Sequence, residues 1–428
     1  MIMKKNFVLI ICLILCQYFS IDVFAQNQET TLLRVEYLSS PKLNGRGYVK
    51  NGCGKAADYL AKEMNDIGLQ SFSKDYFQSF EFDVNTFPGS LEVNIDGEKL
   101  KPGIDYLIGP ATPTLSETYE LFLPDSTLLN DTIAFLKTIS ESDYSDKMFV
   151  IDYAQTENKG IKVFYINIMR LNHFFGGIVE LIPENLMWAV RSFQQPYPVI
   201  KIKRESYPRE SKSLKLKVKA KLIDSFEAKN VIGYIQGKTD DFVVFTAHYD
   251  HLGSMGRKVY IPGAQDNASG TSMVLDLAEY YSENQPDYSI AFMLFAGEEA
   301  GLLGSIKYVT SPLFDLTKIK MVINLDMVGT GDDGITIVNG ANPDYKEIWN
   351  LFEEINIEKE CFTVMKARGE AANSDHYPFH AIGIPAVFIY TMGGKTYYHH
   401  PKDKPGTLTF TGYDALFNLL INFVDRYE

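Results

Sequence analysis

The sequence predicts an α/β fold: a mostly parallel central sheet flanked by helices, with a smaller β-rich domain inserted into it. Two observations carry this. From about residue 229 onward, short apolar runs alternate with segments of helical period. Those runs are apolar throughout, which marks strands covered on both faces. Residues 88–222 lack this rhythm and are rich in strand-like runs.

Along the chain, residues 1–25 read as an export signal. Lys4 and Lys5 precede an apolar stretch over 7–16, too short to span a membrane, and Ala25 offers a cleavage position. Residues 26–87 form the first part of the main domain. Within them, 53–67 has helical period: Ala56, Leu60, Met64 and Ile67 share a face, and Gly68 supplies a stop. Strands are expected at 90–95, 148–153 and 177–182. Residues 214–222 alternate strictly, so Lys215, Lys217, Lys219 and Lys221 should face solvent on a strand, as at a charge-protected edge. The main domain resumes over 223–428. Strands are expected at 242–247, 289–296, 320–325 and 385–390, and helices at 269–283 and 301–309. On the first of these helices Thr271, Val274, Leu275, Ala278 and Tyr281 share a side.

A chain of 428 residues is too long for one ordinary core, so two domains are expected. Its net charge of −13 argues against nucleic acid and anionic membranes as partners. No segment after the signal is long and apolar enough to cross a bilayer. Of the four cysteines, Cys12 and Cys16 lie in the signal. Cys53 and Cys361 are left, as one disulfide or as two separate thiols.

The residues that carry chemistry stand where the strands end. His248 follows 242–247, Glu298 and Glu299 follow 289–296, Asp326 ends 320–325, and His399 lies on the loop after 385–390. Open α/β sheets gather ligands at the carboxyl ends of their strands, so these groups should converge. Asp266 lies on a loop entering a helix. Zinc takes imidazole and carboxylate ligands and keeps an open position when catalytic. Two ions with two terminal ligands each and one shared carboxylate would use all five residues. The expected arrangement is His248 and Asp326 on one ion, Glu299 and His399 on the other, and Asp266 bridging. Asp250 suits a supporting role, its carboxylate accepting the second N–H of His248. Glu298 is then free to act as general base. His251, His400 and His380 are expected to be bystanders. Ser374-Asp375-His376 is too contiguous for a triad, whose members come from separate segments. Asp375 and His376 are expected at the substrate pocket or in support of the ligands instead, with Tyr398 a further wall.

These motifs together resemble the co-catalytic zinc aminopeptidases, a family that includes glutamate carboxypeptidase and has glutaminyl cyclases as relatives. The resemblance rests on His248-x-Asp250, Asp266-Asn267-Ala268-Ser269-Gly270, Glu298-Glu299-x-Gly301-Leu302, Asp326-Met327 and Tyr398-His399-x-Pro401-x-Asp403, in the family's order. It extends more weakly to 38–46. It implies zinc ligation by His248, Asp266, Glu299, Asp326 and His399, with Glu298 as base. It also implies that 88–222 is a protease-associated insert. Lys404 departs from the threonine many relatives carry there.

The expected function is an exported zinc exopeptidase. It would release N-terminal residues from peptides with a hydroxide held by the metal pair. The alternatives are glutaminyl cyclisation on a similar fold, or a receptor-like binding module.

Overall fold

The computed structural model describes residues 28–155, 160, 163–165, 174–183, 185–208, 210–395 and 397–427. The expected export signal lies outside them. No described helix is long and apolar enough to cross a membrane.

The main sheet has eight strands. From one edge they run Phe77–Thr86, Lys221–Ile235, Ser289–Phe295, Phe242–His248, Ile319–Leu325, Ala386–Met392, Gly334–Val338 and Met365–Arg368. The four central strands, from Ser289–Phe295 to Ala386–Met392, are mutually parallel. The strands on either side join them antiparallel. Every residue of Phe242–His248 and Ser289–Phe295 is buried. The reason is coverage on both faces. Val243, Phe245 and Ala247 pack under the helices Gly52–Ile67, Ser269–Glu283, Lys346–Lys359 and Tyr413–Arg426. Phe242 and Val244 face the other way, toward Tyr308 of Leu303–Thr310 and Phe379 of His376–Ala381.

Local chemistry sets the element ends. Helix Gly52–Ile67 buries Ala56, Leu60 and Met64 and stops at Gly68. Gly68 has φ +90°, a conformation glycine adopts without penalty, and its N–H returns to the Asn65 and Met64 carbonyls. Helix Ser269–Glu283 lies directly on the sheet at Gly270, where a Cβ would stand 2.2 Å from the Leu325 carbonyl oxygen. Only glycine permits that approach.

A second eight-stranded sheet is built within residues 91–218. Its order is Glu98–Lys99, Leu91–Ile95, Ser213–Val218, Leu115–Phe122, Tyr144–Asp152, Phe175–Ile182, Val199–Lys203 and Tyr106–Ile108. The alternating stretch at 214–222 divides between the two sheets. Leu214, Leu216 and Val218 point into a core, while Lys215 and Lys217 are exposed as expected. The strand is not an edge, however: Leu91–Ile95 and Leu115–Phe122 flank it on both sides. The lysines sit on its solvent face, and Glu92 stands opposite Lys217. One buried apolar cluster joins the sheets, with Tyr48, Phe87, Leu252 and Met255 against Tyr106, Trp188 and Ile200. Cys53 and Cys361 are free thiols, so the disulfide alternative does not hold.

Buried polar groups tie the helices together. Arg34, on Gln28–Leu38, bonds Asp276 at 2.6 Å, Glu279 at 2.6 Å and Glu63 at 3.0 Å. Asp276 also accepts from Thr31 and Tyr413. Three helices thus meet at one carboxylate, and Glu63 brings in a fourth through Arg34. Replacing Arg34 by Met should leave this buried charge without its cation and lower stability by about 3–5 kcal/mol. Urea unfolding measures it, and an unchanged midpoint would deny the pair any structural weight.

Candidate metal centre

The strand ends converge as their topology requires. His248 is the last residue of its strand, Asp326 directly follows Ile319–Leu325, and Glu298–Glu299 lie just past Ser289–Phe295. His399 arrives on the loop after Ala386–Met392 with φ +54°. Asp266 sits in the turn Ala264–Ala268 that leads into Ser269–Glu283, and its peptide bond to Asn267 is cis. Asn267 and Ser269 fix that turn. Asn267 donates to the Leu325 carbonyl and accepts from the Gly270 and Met327 amides. Ser269 accepts from the Val328 amide. The Asp-Asn-Ala-Ser-Gly motif is thereby bonded to the backbone on both sides of Asp326.

Asp266 stands between two imidazoles. Its Oδ1 lies 3.2 Å from His248 Nε2, and its Oδ2 lies 3.2 Å from His399 Nε2. Beyond His248 is Asp326 Oδ1 at 3.4 Å; beyond His399 is Glu299 Oε2 at 3.2 Å. Both imidazoles have the other nitrogen fixed by a main-chain carbonyl. His248 Nδ1 is 3.1 Å from Asp250 O, and His399 Nδ1 is 3.0 Å from Trp188 O. This is the habit of metal-binding histidines, which give one nitrogen to the ion and tie the other down. Asp326 Oδ1 is buried without a hydrogen-bond partner, so a lone pair at the centre of the cluster is unused. Ligand atoms of His248, Glu298 and Asp326 lie within 4.8 Å of one another, as do those of His251, Asp266 and Glu299. The donor set fits two small divalent cations that accept nitrogen and oxygen.

The charges are arranged to match. Burial, with Glu299, Asp375 and Asp326 as like charges against the pull of His248, holds Glu298 well above the ordinary glutamate value. Burial would also raise Glu299, but His399 and the His251 hydrogen bond outweigh it and bring that group down to about 2. Adjacent glutamates therefore have opposite proton affinities, which suits one to carry a proton and the other a permanent charge.

The surroundings differ from expectation in several contacts. The Asp250 carboxylate is 3.8 Å from His248, and its main-chain oxygen makes the closer approach. The carboxylate instead accepts from the Glu298 amide at 3.1 Å and the Tyr48 hydroxyl at 3.0 Å, because the chain turns back beneath the glutamate pair. His251 is no bystander: it is fully buried, with Nδ1 2.7 Å from Glu299 Oε1. Asp375 and His376 are fully buried beneath the site, with Asp375 accepting from Ser305. Nearby, Ser374 donates to Asp326 and accepts from Asn324. Tyr398 is 46% exposed and stacks on His399 with ring centroids 3.7 Å apart. A cavity of about 290 Å³ opens beside Glu298 and Glu299, walled by Val190, Arg191, Ser192, Ala372 and Asn373.

The matching family model places the domain. The description Peptidase family M28 fits residues 230–424. That stretch, a little under half of the chain, is similar to the M28 peptidases. Aminopeptidase YwaD of Bacillus subtilis (strain 168) is 32% identical over 222 residues, covering 48% of this chain and 46% of that protein. A probable leucine aminopeptidase of Arthroderma otae is 27% identical over 205 residues, covering 44% and 54%. The chain thus spans about half the length of the curated relatives it matches. The solved structure of BSAP, a zinc aminopeptidase from Bacillus subtilis, superposes with TM-score 0.66 at 22% identity over 92% of this chain and 93% of that one. The aminopeptidase from Aneurinibacillus sp. strain AM-1 gives 0.64 at 22% over 93% of each. Both share the fold, including the region of the second sheet.

Three supports of the site have no role assigned from sequence: Arg46, Asp403 and Trp188. Arg46 is completely buried and donates to the carbonyls of Leu38, Tyr249, Pro262, Gly263 and Asp266. Asp403 accepts from the Gln265 and Asp266 amides at 2.9 and 3.1 Å. Trp188 meets His399 through its backbone alone. Arg46 and Asp403 fall inside quoted motifs; Trp188 has no sequence signal, since a backbone contact leaves none. Asp403→Ala would unpair two buried amides and loosen the Asp266 turn. Loss of such a supporting partner typically weakens metal binding about 10- to 100-fold. Zinc titration against a competing chelator should show that drop, and unaltered affinity would count against the clamp.

Proposed function

We propose that the chain is a two-zinc metallo-aminopeptidase. The single observation behind this reading is the position of Asp266, one oxygen toward each of two imidazoles whose far nitrogens are tied to main-chain carbonyls. His248 and Asp326 would hold one ion, Glu299 and His399 the other, with Asp266 shared. The names of the similar proteins, aminopeptidase and zinc aminopeptidase, support the reaction class. A bound pair of this kind polarises a carbonyl and acidifies water.

The chain's own groups have separable tasks. Glu298, half-buried and with a raised proton affinity, takes a proton from the attacking water and passes it to the departing amine. Asp250 holds the Glu298 amide, and so the side chain's origin, in place. His251 orients Glu299, and Ser374 orients Asp326. The cavity beside Glu298 accepts the peptide, and the ring of Tyr398 forms an exposed wall over His399. The basic and apolar pattern of residues 1–25 supports an exported enzyme. The second sheet would correspond to a protease-associated insert, residues 88–222.

Glu298→Gln keeps the shape and removes the base. It should retain two zinc ions by metal analysis while turnover of an aminoacyl chromogenic amide falls about 10²–10⁴-fold. A Gln-initiated peptide analysed by mass should lose its first residue rather than ammonia alone. Full activity in a metal-stripped sample would overturn the reading.

A further inference from the structure

The second sheet repeats, on a smaller scale, the geometry that builds the metal centre. Leu115–Phe122, Tyr144–Asp152, Phe175–Ile182 and Val199–Lys203 are neighbours and all parallel. Their carboxyl ends therefore lie at one edge, where open α/β sheets hold ligands. A cavity of about 620 Å³ lies there. Each of the four strands supplies its wall: Leu123 past the first, Asp152 at the end of the second, Leu181 and Pro183 at the third, Arg204 and Glu205 past the fourth.

The lining has unused polar capacity. Arg204 Nε donates to the buried Asp152 at 2.8 Å, while its Nη groups make no hydrogen bond among the described residues. The Tyr207 hydroxyl is buried without a partner, on a residue only 5% exposed. The side-chain oxygen of Gln155 is likewise buried and without a partner among the described residues. Buried polar atoms in native proteins are normally satisfied, so two orphans on residues that line one cavity point to a ligand. Their chemistry says which kind. The Arg204 fork and the Tyr207 hydroxyl suit a carboxylate. Gln155 and Glu205 offer oxygens to an ammonium. Leu123, Leu181 and Pro183 provide an apolar wall.

We propose that this crevice binds small α-amino carboxylates, a free apolar amino acid or a dipeptide in its zwitterionic form. Such molecules are what the proposed peptidase reaction would release. The binding itself is measured without turnover, so it stands or falls separately from that reading.

Calorimetric titration of the intact metal-loaded protein with leucine tests it. Arg204→Ala and Tyr207→Phe should each weaken one leucine site by tenfold or more. N-acetyl-leucine and leucinamide, each lacking one charge, should bind that site at least tenfold more weakly than leucine. Zinc content should be unchanged in both variants. Tyr207→Phe removes only a hydroxyl with no partner, so its melting temperature should match the parent's. Undiminished leucine binding in both folded variants would overturn the proposal, as would equal binding of all three compounds.

Discussion

Like charges crowded out of water are the constraint on which this structure depends. Asp250, Asp266, Glu298, Glu299, Asp326, Asp375 and Asp403 all lie at or under the same strand ends, nearly all of them buried. Left alone they would repel one another and take up protons. Arg46 is the fixed cation among them. Burial lowers its own proton affinity to about 10, against the pull of Asp266, Asp403, Asp250 and Glu299. It remains charged at neutral pH, and its N–H groups are spent on five main-chain carbonyls, four of them on the segments that carry Asp250 and Asp266. One side chain thus supplies both counter-charge and scaffold. The remaining negative charge is what two divalent cations would neutralise.

Much of this was legible in the sequence because strands buried on both faces leave an unbroken apolar signature. Residues 242–247 and 289–296 announce themselves that way, and polar groups just past such runs stand out. His248, Glu299, Asp326, Asp266 and His399 do meet in space. What stayed hidden was of another kind. His251 differs from a surface histidine only through Glu299, 48 positions away. The clamp of Asp403 acts on amide groups, which every residue type possesses. Lys215 and Lys217 suggested an edge because alternation reports which face is wet, and says nothing of how many neighbours a strand has.

The two sheets solve one problem twice. In each, parallel strands end together, and the loops beyond them carry the polar groups. The main sheet places acids and imidazoles there; the second places Arg204, Asp152 and Tyr207. Sheet geometry selects the location and the loop residues select the chemistry, so a fold shared with two solved aminopeptidases at 22% identity does not by itself set specificity.

The contact between Trp188 and His399 bears on how the molecule comes into being. The Trp188 amide donates to the His399 carbonyl, the Trp188 carbonyl meets the His399 ring, and the indole N–H anchors to Ile108. The partners are 211 positions apart. Closing so long a loop belongs to the late stages of folding. The fixed orientation of one imidazole of the cluster therefore depends on a contact between segments far apart in the chain. The cluster is thereby finished only where two distant parts of the chain have met.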